Sequence, residues 1–333
     1  MLTLVRVFSR LLSIKIANIV LVCILTYYTN MRDGEKTEMI HDYNGRDYRT
    51  VWEHPRAVFE NRFEGRIIQR LLTKRIGWFI DIGAGYGRVY PVYKRQGRKI
   101  VLLDYAMNLL EIAAQEYSED KDIYFVAANA YHLPFKNELF DGGISVRVFH
   151  HINLPEKFMR EVGRVMRSGS EMILEYANKR NMFRVVLRGK KSLQKDHEEY
   201  GPLHYGTHPA YFQHIAHDAG FRIERTLGTG FFPRFITKKT LSLAPLLFLL
   251  ERFFDATFGR YDLGPLNFAN IKKIGLKNNT MPAQRIEDIL RCPACGGEFN
   301  FETSEGISCI GCKRIFHKNG KIFDLRYEPS AEE

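Results

Sequence analysis

Four of the chain's five cysteines stand in two Cys-x-x-Cys pairs, Cys292/Cys295 and Cys309/Cys312, within "RCPACGGEFNFETSEGISCIGCKRIF". Two such knuckles can give four thiolates to one tetrahedral Zn2+. Ligation by cysteine alone closes the coordination sphere, which suits a structural metal rather than a catalytic one. The segment is too short to build a core of its own, so bound metal would supply much of its folding free energy. Disulfides are the alternative use of the same residues. A second stretch, "WFIDIGAGYGRVYPVYKRQGRKIVLLDYAMNLLEIAAQEY", opens with an apolar run read as a buried parallel strand over 78–82. Gly83, Gly85 and Gly87 follow it, permitting a tight turn and letting a ligand touch backbone. Asp104 closes the next strand, where a carboxylate can accept from both hydroxyls of a ribose. His150 and His151 follow a later strand. Either imidazole could take a proton from a hydroxyl or amine, and either could simply cap or pack a helix.

These sites need elements to hold them. Strand-like and helix-like runs alternate through the middle of the chain, the pattern of a doubly wound, mostly parallel α/β sheet. The glycine turn reads Asp81-Ile82-Gly83-Ala84-Gly85-Tyr86-Gly87, with the acid ahead of the first glycine. A dinucleotide turn would be spaced G-x-G-x-x-G. The spacing here resembles the first motif of the class I S-adenosylmethionine-dependent methyltransferases. "VAANAYHLPFKNELFDGGISVRVFHHI" resembles that family's third and fourth motifs, and "FMREVGRVMRSGSEMILEYANKRN" the helix, turn and fifth strand after them. The resemblance implies a seven-stranded methyltransferase domain over 45–277. It implies S-adenosylmethionine as cofactor, with Gly83, Gly85 and Gly87 near its methionine part and Asp81 orienting the loop. Asp104 would bind the ribose, Asn129 and Ala130 would meet the adenine edge, and Arg147 would sit near the cofactor carboxylate or the substrate. Asn129 stands where many relatives carry Asp, and Arg167-Ser168-Gly169-Ser170 replaces a Pro-Gly-Gly turn. Beyond a polar linker over 278–284, residues 285–327 resemble the small zinc-ribbon proteins that activate methyltransferases as separate subunits. The implied function is methyl transfer to an unidentified acceptor, with a cofactor-binding regulatory scaffold as the alternative.

Composition is that of a globular protein, 45% hydrophobic and 26% charged. The net charge of +11 is placed unevenly. Residues 179–195 hold seven Lys/Arg and no acid, whereas residues 285–333 hold seven basic and nine acidic side chains. An RNA or acidic protein acceptor would therefore meet 179–195. The apolar run "LSLAPLLFLLERFFDATFGRY" over 241–261 favours a small hydrophobic acceptor, either as a cap on the substrate side or as a lipid-facing patch. Residues 1–30 are basic, then apolar, and short for a membrane span. A weak anchor, an interfacial helix touching a membrane surface, and an artefact of start-site choice all stand. Adenosylmethionine and reduced thiols imply a cytoplasmic protein, membrane-associated if 1–30 anchor it. Tyr43, Tyr48, Trp52 and Glu64 precede the first strand, and of these Tyr48 and Trp52 are candidate lid residues or else core aromatics. His197, His204, His208, His214 and His217 form a loose run in which no pair has convincing metal spacing with a third ligand. Thr207 is the expected N-cap of a helix beginning at Pro209.

Overall fold

The computed structural model describes residues 37–45, 48–73, 77–235, 240–275, 284–303 and 306–329. The readings of residues 1–30 and of Cys23 lie outside these residues. Met39–Glu333 forms one compact unit.

Its strands are β1 (Trp78–Ile82), β2 (Lys99–Asp104), β3 (Ile123–Ala127), β4 (Phe140–Ser145), β5 (Met166–Ala177), β6 (His197–Gly201), β7 (His204–Thr207), β8 (Phe221–Thr229), β9 (Leu266–Lys273), β10 (Phe299–Thr303), β11 (Gly306–Cys309), β12 (Ile315–Asn319) and β13 (Ile322–Asp324). The helices are α1 (Pro55–Leu71), α2 (Tyr90–Tyr93), α3 (Met107–Glu116), α4 (Pro155–Val165), α5 (Met182–Arg188), α6 (Pro209–Asp218) and α7 (Ala244–Thr257).

Seven strands in the order β3-β2-β1-β4-β5-β9-β8 make the class I methyltransferase-like sheet. β1 to β5 run parallel, and β9 is antiparallel to both neighbours. The parallel strands are buried on both faces, which is why β1 reads Trp-Phe-Ile-Asp-Ile without alternation. One face packs Phe158, Met159 and Val162 of α4 and Phe212 and Ile215 of α6. The other packs Ile67, Ile68 and Leu71 of α1. Val58 of that helix is 61% exposed. Each of these helices starts on a proline at its first turn, where the missing N–H costs nothing. The cap of α6 is His208, not Thr207: its Nδ1 accepts from the Ala210 N–H at 3.1 Å.

The sheet does not stop at β3. It continues β3-β13-β12-β11-β10, eleven strands in all, because β13 pairs in parallel with β3. The Leu325 N–H donates to the Ala127 carbonyl at 2.8 Å, and the Arg291 N–H to that of Pro134 at 2.9 Å. Phe323 packs in the core of one sheet face and Ile322 in that of the other. The cysteine segment, too short for its own core, thus shares the core of the large sheet.

α7 is inverted. Its buried residues are Glu251 and Asp255, while Leu246, Leu249 and Phe253 are 54%, 60% and 60% exposed. Glu251 accepts from the N–H groups of Gly230, Phe231 and Phe232 and from the Thr229 hydroxyl, so the loop after β8 depends on it. Among the described residues no helix is long and apolar enough to cross a membrane.

Candidate active site

The C-terminal ends of β1, β2 and β4 open onto a cavity that is continuous with solvent. This is the place where open α/β sheets hold ligands. Gly83 and Gly85 line its floor at φ +76° and +55°, in the left-handed region. A Cβ on Gly83 would collide with Val148, so the loop cannot carry a side chain there. Asp104 faces the loop. One of its oxygens accepts from the Gly85 N–H at 2.7 Å and the other from the Ala106 N–H at 2.9 Å. The two carboxylate oxygens offer about four acceptor sites between them, so the group keeps capacity for a ligand hydroxyl. Burial raises the pKa of Asp104.

Asn129 and Ala130 line the cavity after β3. The Asn129 carbonyl accepts from the Tyr131 N–H at 2.9 Å, and its amide donates to the Tyr327 carbonyl at 3.2 Å. The wall at this end is therefore tied to the chain segment after β13. Tyr105 donates to Glu328 in the same segment.

Arg147 lines the cavity at φ +65°, uncommon for a residue with a side chain. Its N–H donates to Glu175 at 2.7 Å. Its guanidinium is held by Glu64 and, at 3.1 Å, by Glu60. Arg88 reaches the other oxygen of Glu64 at 3.0 Å and stacks on Trp52 at 3.7 Å. Burial works to raise the pKa of Glu64, and Arg147 and Arg88 more than offset it, leaving it lowered. Burial instead lifts Glu175 from 4.5 to about 7, with Arg147 pulling the other way. Because its folded pKa lies above its unfolded one, the native state holds the extra proton between these values. Stability should thus fall as pH rises from about 4.5 to 7. In Glu175→Gln, denaturant titrations across that window should show the fall reduced by on the order of 2–3 kcal/mol. An unchanged slope would assign it to other groups.

Asp81, Gly87 and His150 do not line the cavity. Asp81 is buried and accepts from the Tyr93 hydroxyl, and burial raises its pKa to about 7. Gly87 turns at φ +77° beneath Tyr117. His150 is set behind His151, and burial drives its pKa well below 6.5. His151 does line the cavity, with the aromatic residues Tyr43, Tyr48 and Trp52. Its Nδ1 donates to the Leu203 carbonyl at 2.8 Å, which leaves Nε2 as acceptor for the Tyr43 hydroxyl at 3.1 Å. Burial and then the neighbouring His41 and His204 hold its pKa down to about 4, against the Leu203 bond. His41 and His204 join it, with ring centroids 4.2 and 4.7 Å from that of His151. This grouping could not be read from the sequence, because its members are remote from one another along the chain.

Elsewhere, Sγ of Cys292 lies 3.7 Å from that of Cys312, and Sγ of Cys295 lies 3.5 Å from that of Cys309. A Zn–S bond of about 2.3 Å requires sulfurs about 3.8 Å apart in a tetrahedron, so the four thiols fit Zn2+. All four are free thiols. A Cβ on Gly297 would sit 3.1 Å from Cys309 Sγ, so that residue packs directly on the cluster. In the basic stretch, Lys179 is buried on Asp196 and on Glu198, the latter at 2.9 Å, which removes one cation from any anionic surface. α7 does not line the cavity.

Residues 80–174 match a family profile described as a methyltransferase domain. An uncharacterised protein of Methanocaldococcus jannaschii is 27% identical over 118 residues, 35% of this chain and 48% of that protein. A demethylmenaquinone methyltransferase of Renibacterium salmoninarum is 28% identical over 95 residues, 28% of this chain and 39% of the enzyme. The chain thus spans less than half the length of these curated relatives. A solved S-adenosylmethionine-dependent methyltransferase of Thermotoga maritima is 18% identical over 68% of this chain and 94% of its own, with a TM-score of 0.48.

Proposed function

We propose that this chain, whose residues 80–174 match a methyltransferase-domain profile, uses S-adenosylmethionine to transfer a methyl group to an acceptor that enters beside His151. The observation that carries the reading is Asp104 facing the Gly83–Gly85 turn at the ends of β2 and β1, on the wall of the cavity that opens there. Bound there, S-adenosylmethionine supplies an electrophilic methyl group on a sulfonium. The chain's part is to hold donor and acceptor in line and to exclude water.

In this reading Asp104 accepts from the ribose hydroxyls with the acceptor sites its backbone partners leave. Asn129 and Ala130 form the wall for the adenine. Asp81 acts from behind, through Tyr93, on the strand that carries the glycine turn. Arg147 is a positioning residue, since its guanidinium is held by Glu60 and Glu64. His151 and Tyr43 are the polar pair at the acceptor end, and His150 supports His151 from behind. The four thiols hold a structural Zn2+. For the acceptor, the exposed apolar face of α7 lies outside the cavity and favours a lipid-facing patch over a cap on the acceptor, while the cations of 179–195 other than Lys179 favour RNA or protein.

Asp104→Ala should weaken binding of S-adenosylhomocysteine by roughly 1.5–3 kcal/mol, because it removes hydrogen bonds to a charged acceptor. Calorimetry finding equal affinity in both proteins would remove Asp104 from the site.

A further inference from the structure

We propose that His41, His151 and His204 form a second metal site, distinct from the cysteine cluster, which takes a divalent transition-metal ion at the acceptor end of the cavity. One ring nitrogen from each lies within 4.8 Å of the others. The three come from three separate elements: the segment before α1, the turn after β4, and the start of β7. Two of them are already oriented for ligation. Nδ1 of His151 donates to the Leu203 carbonyl at 2.8 Å, and Nδ1 of His204 lies 3.1 Å from the Pro202 carbonyl. A carbonyl can only accept, so each ring is fixed with its proton on Nδ1 and its lone pair on Nε2. This backbone orientation is the usual outer support of metal-bound imidazoles. His41 and His151 also line the cavity.

The donors stand wider than an ion needs. Metal–nitrogen bonds of about 2.0–2.1 Å put tetrahedral donors roughly 3.4 Å apart, so the rings must close by on the order of 1 Å. His204 is exposed and can make that movement. Nε2 of His151, which now accepts from Tyr43, would turn to the ion and free the Tyr43 hydroxyl. Three imidazoles leave a coordination position open, as in catalytic rather than structural sites. An imidazole whose lone pair serves a metal is a ligand and not a general base.

The use of such an ion rests on the methyl-transfer reading, although its binding does not. The acceptor class it selects is an oxygen nucleophile, a phenol, enol or similar hydroxyl. The ion lowers that hydroxyl's pKa, so the O–H bond breaks with its proton going to water. The oxygen then forms the new C–O bond as the C–S bond of the sulfonium breaks, leaving a neutral thioether.

The test is a Co2+ titration of full-length protein that carries one zinc per chain and no more, followed by visible absorption. One further equivalent of Co2+ per chain should bind, giving d–d bands without the sulfur-to-cobalt charge transfer that the cysteine cluster would produce. His204→Ala, a change at an exposed position, should weaken this binding at least tenfold. Its melting temperature and S-adenosylhomocysteine affinity should not change. His41→Ala should do the same to Co2+ binding. Absence of the extra equivalent, or equal Co2+ affinity in the wild type and both variants, would overturn the site. Loss of S-adenosylhomocysteine binding in the wild type would count against the methyltransferase reading, independently of the cobalt result.

Discussion

Cys309→Ser is expected to strip the chain of its zinc and, with it, much of the stability of the cofactor domain. Purified wild-type protein should carry about one zinc per chain. Three thiolates cannot close a site that needs four donors, so the variant should lose the metal and the local fold that depends on it. The consequence does not stay local, because β13 is hydrogen-bonded to β3 and Phe323 packs in the shared core. Losing about 3 kcal/mol, a small share of the roughly 10–16 kcal/mol that structural zinc contributes in small domains, would lower Tm by roughly 6–12 °C. The affinity for S-adenosylhomocysteine should fall as well, since Asn129 is tied to the Tyr327 carbonyl beyond β13. A variant that loses zinc while Tm and cofactor affinity stay unchanged would show that the cysteine segment folds independently. Wild-type protein with no zinc and with its cysteines in disulfides would refute the metal assignment.

Arg147→Ala should cost about 3–5 kcal/mol of folding stability, the range for removing one partner of a buried ion pair. Glu64 has no exposed side-chain surface, and Glu60 is nearly as buried. Without Arg147, Arg88 is the guanidinium left on Glu64, and the Glu60 carboxylate loses a partner from inside the cavity wall. Denaturant unfolding reads the change directly. Adding Glu60→Gln should restore part of the loss, because it removes a carboxylate left short of its partner. A loss under about 1 kcal/mol in Arg147→Ala would mean that Arg147 is free to bind ligand and that the carboxylates are satisfied by other groups.

The parts of this site that follow one another in sequence were legible there. Gly83, Gly85 and Asp104 sit at the ends of two successive strands, so the spacing of glycines and acid carries their geometry. The cysteines are legible for the same reason, since each knuckle is a local turn. What could not be read depends on contacts between distant segments. His41, His151 and His204 belong to different elements, and no spacing rule connects them. The run from His197 to His217 holds only one member of the cluster, and its other histidines serve elsewhere. His208 caps α6, and His197 bonds to Thr207 and the Ile152 carbonyl.

β13 hid for a different reason. Ile322-Phe323-Asp324 is three residues long, and only the open edge of β3 makes it a strand of the main sheet. α7 resisted reading because its charged residues point inward, against the usual pattern of an amphipathic helix. Glu251 is drawn in by three backbone N–H groups and a hydroxyl that need an acceptor. Leu246, Leu249 and Phe253 are left outside, while Leu247 and Phe248 pack against Phe59 and Phe63. The same logic explains Asp81, which the family resemblance implies as the residue that orients the glycine loop. Its carboxylate is spent on Tyr93 beneath the glycine turn.

The most direct test of the central claim is transfer itself. Full-length protein is incubated with methyl-labelled S-adenosylmethionine and fractionated cell extract, with Asp104→Ala run in parallel. Label should enter a discrete acceptor fraction with the wild type and in a sharply reduced amount with the variant. Tight cofactor binding by the wild type, with no label entering any fraction, would contradict the claim and leave the chain as a cofactor-binding scaffold.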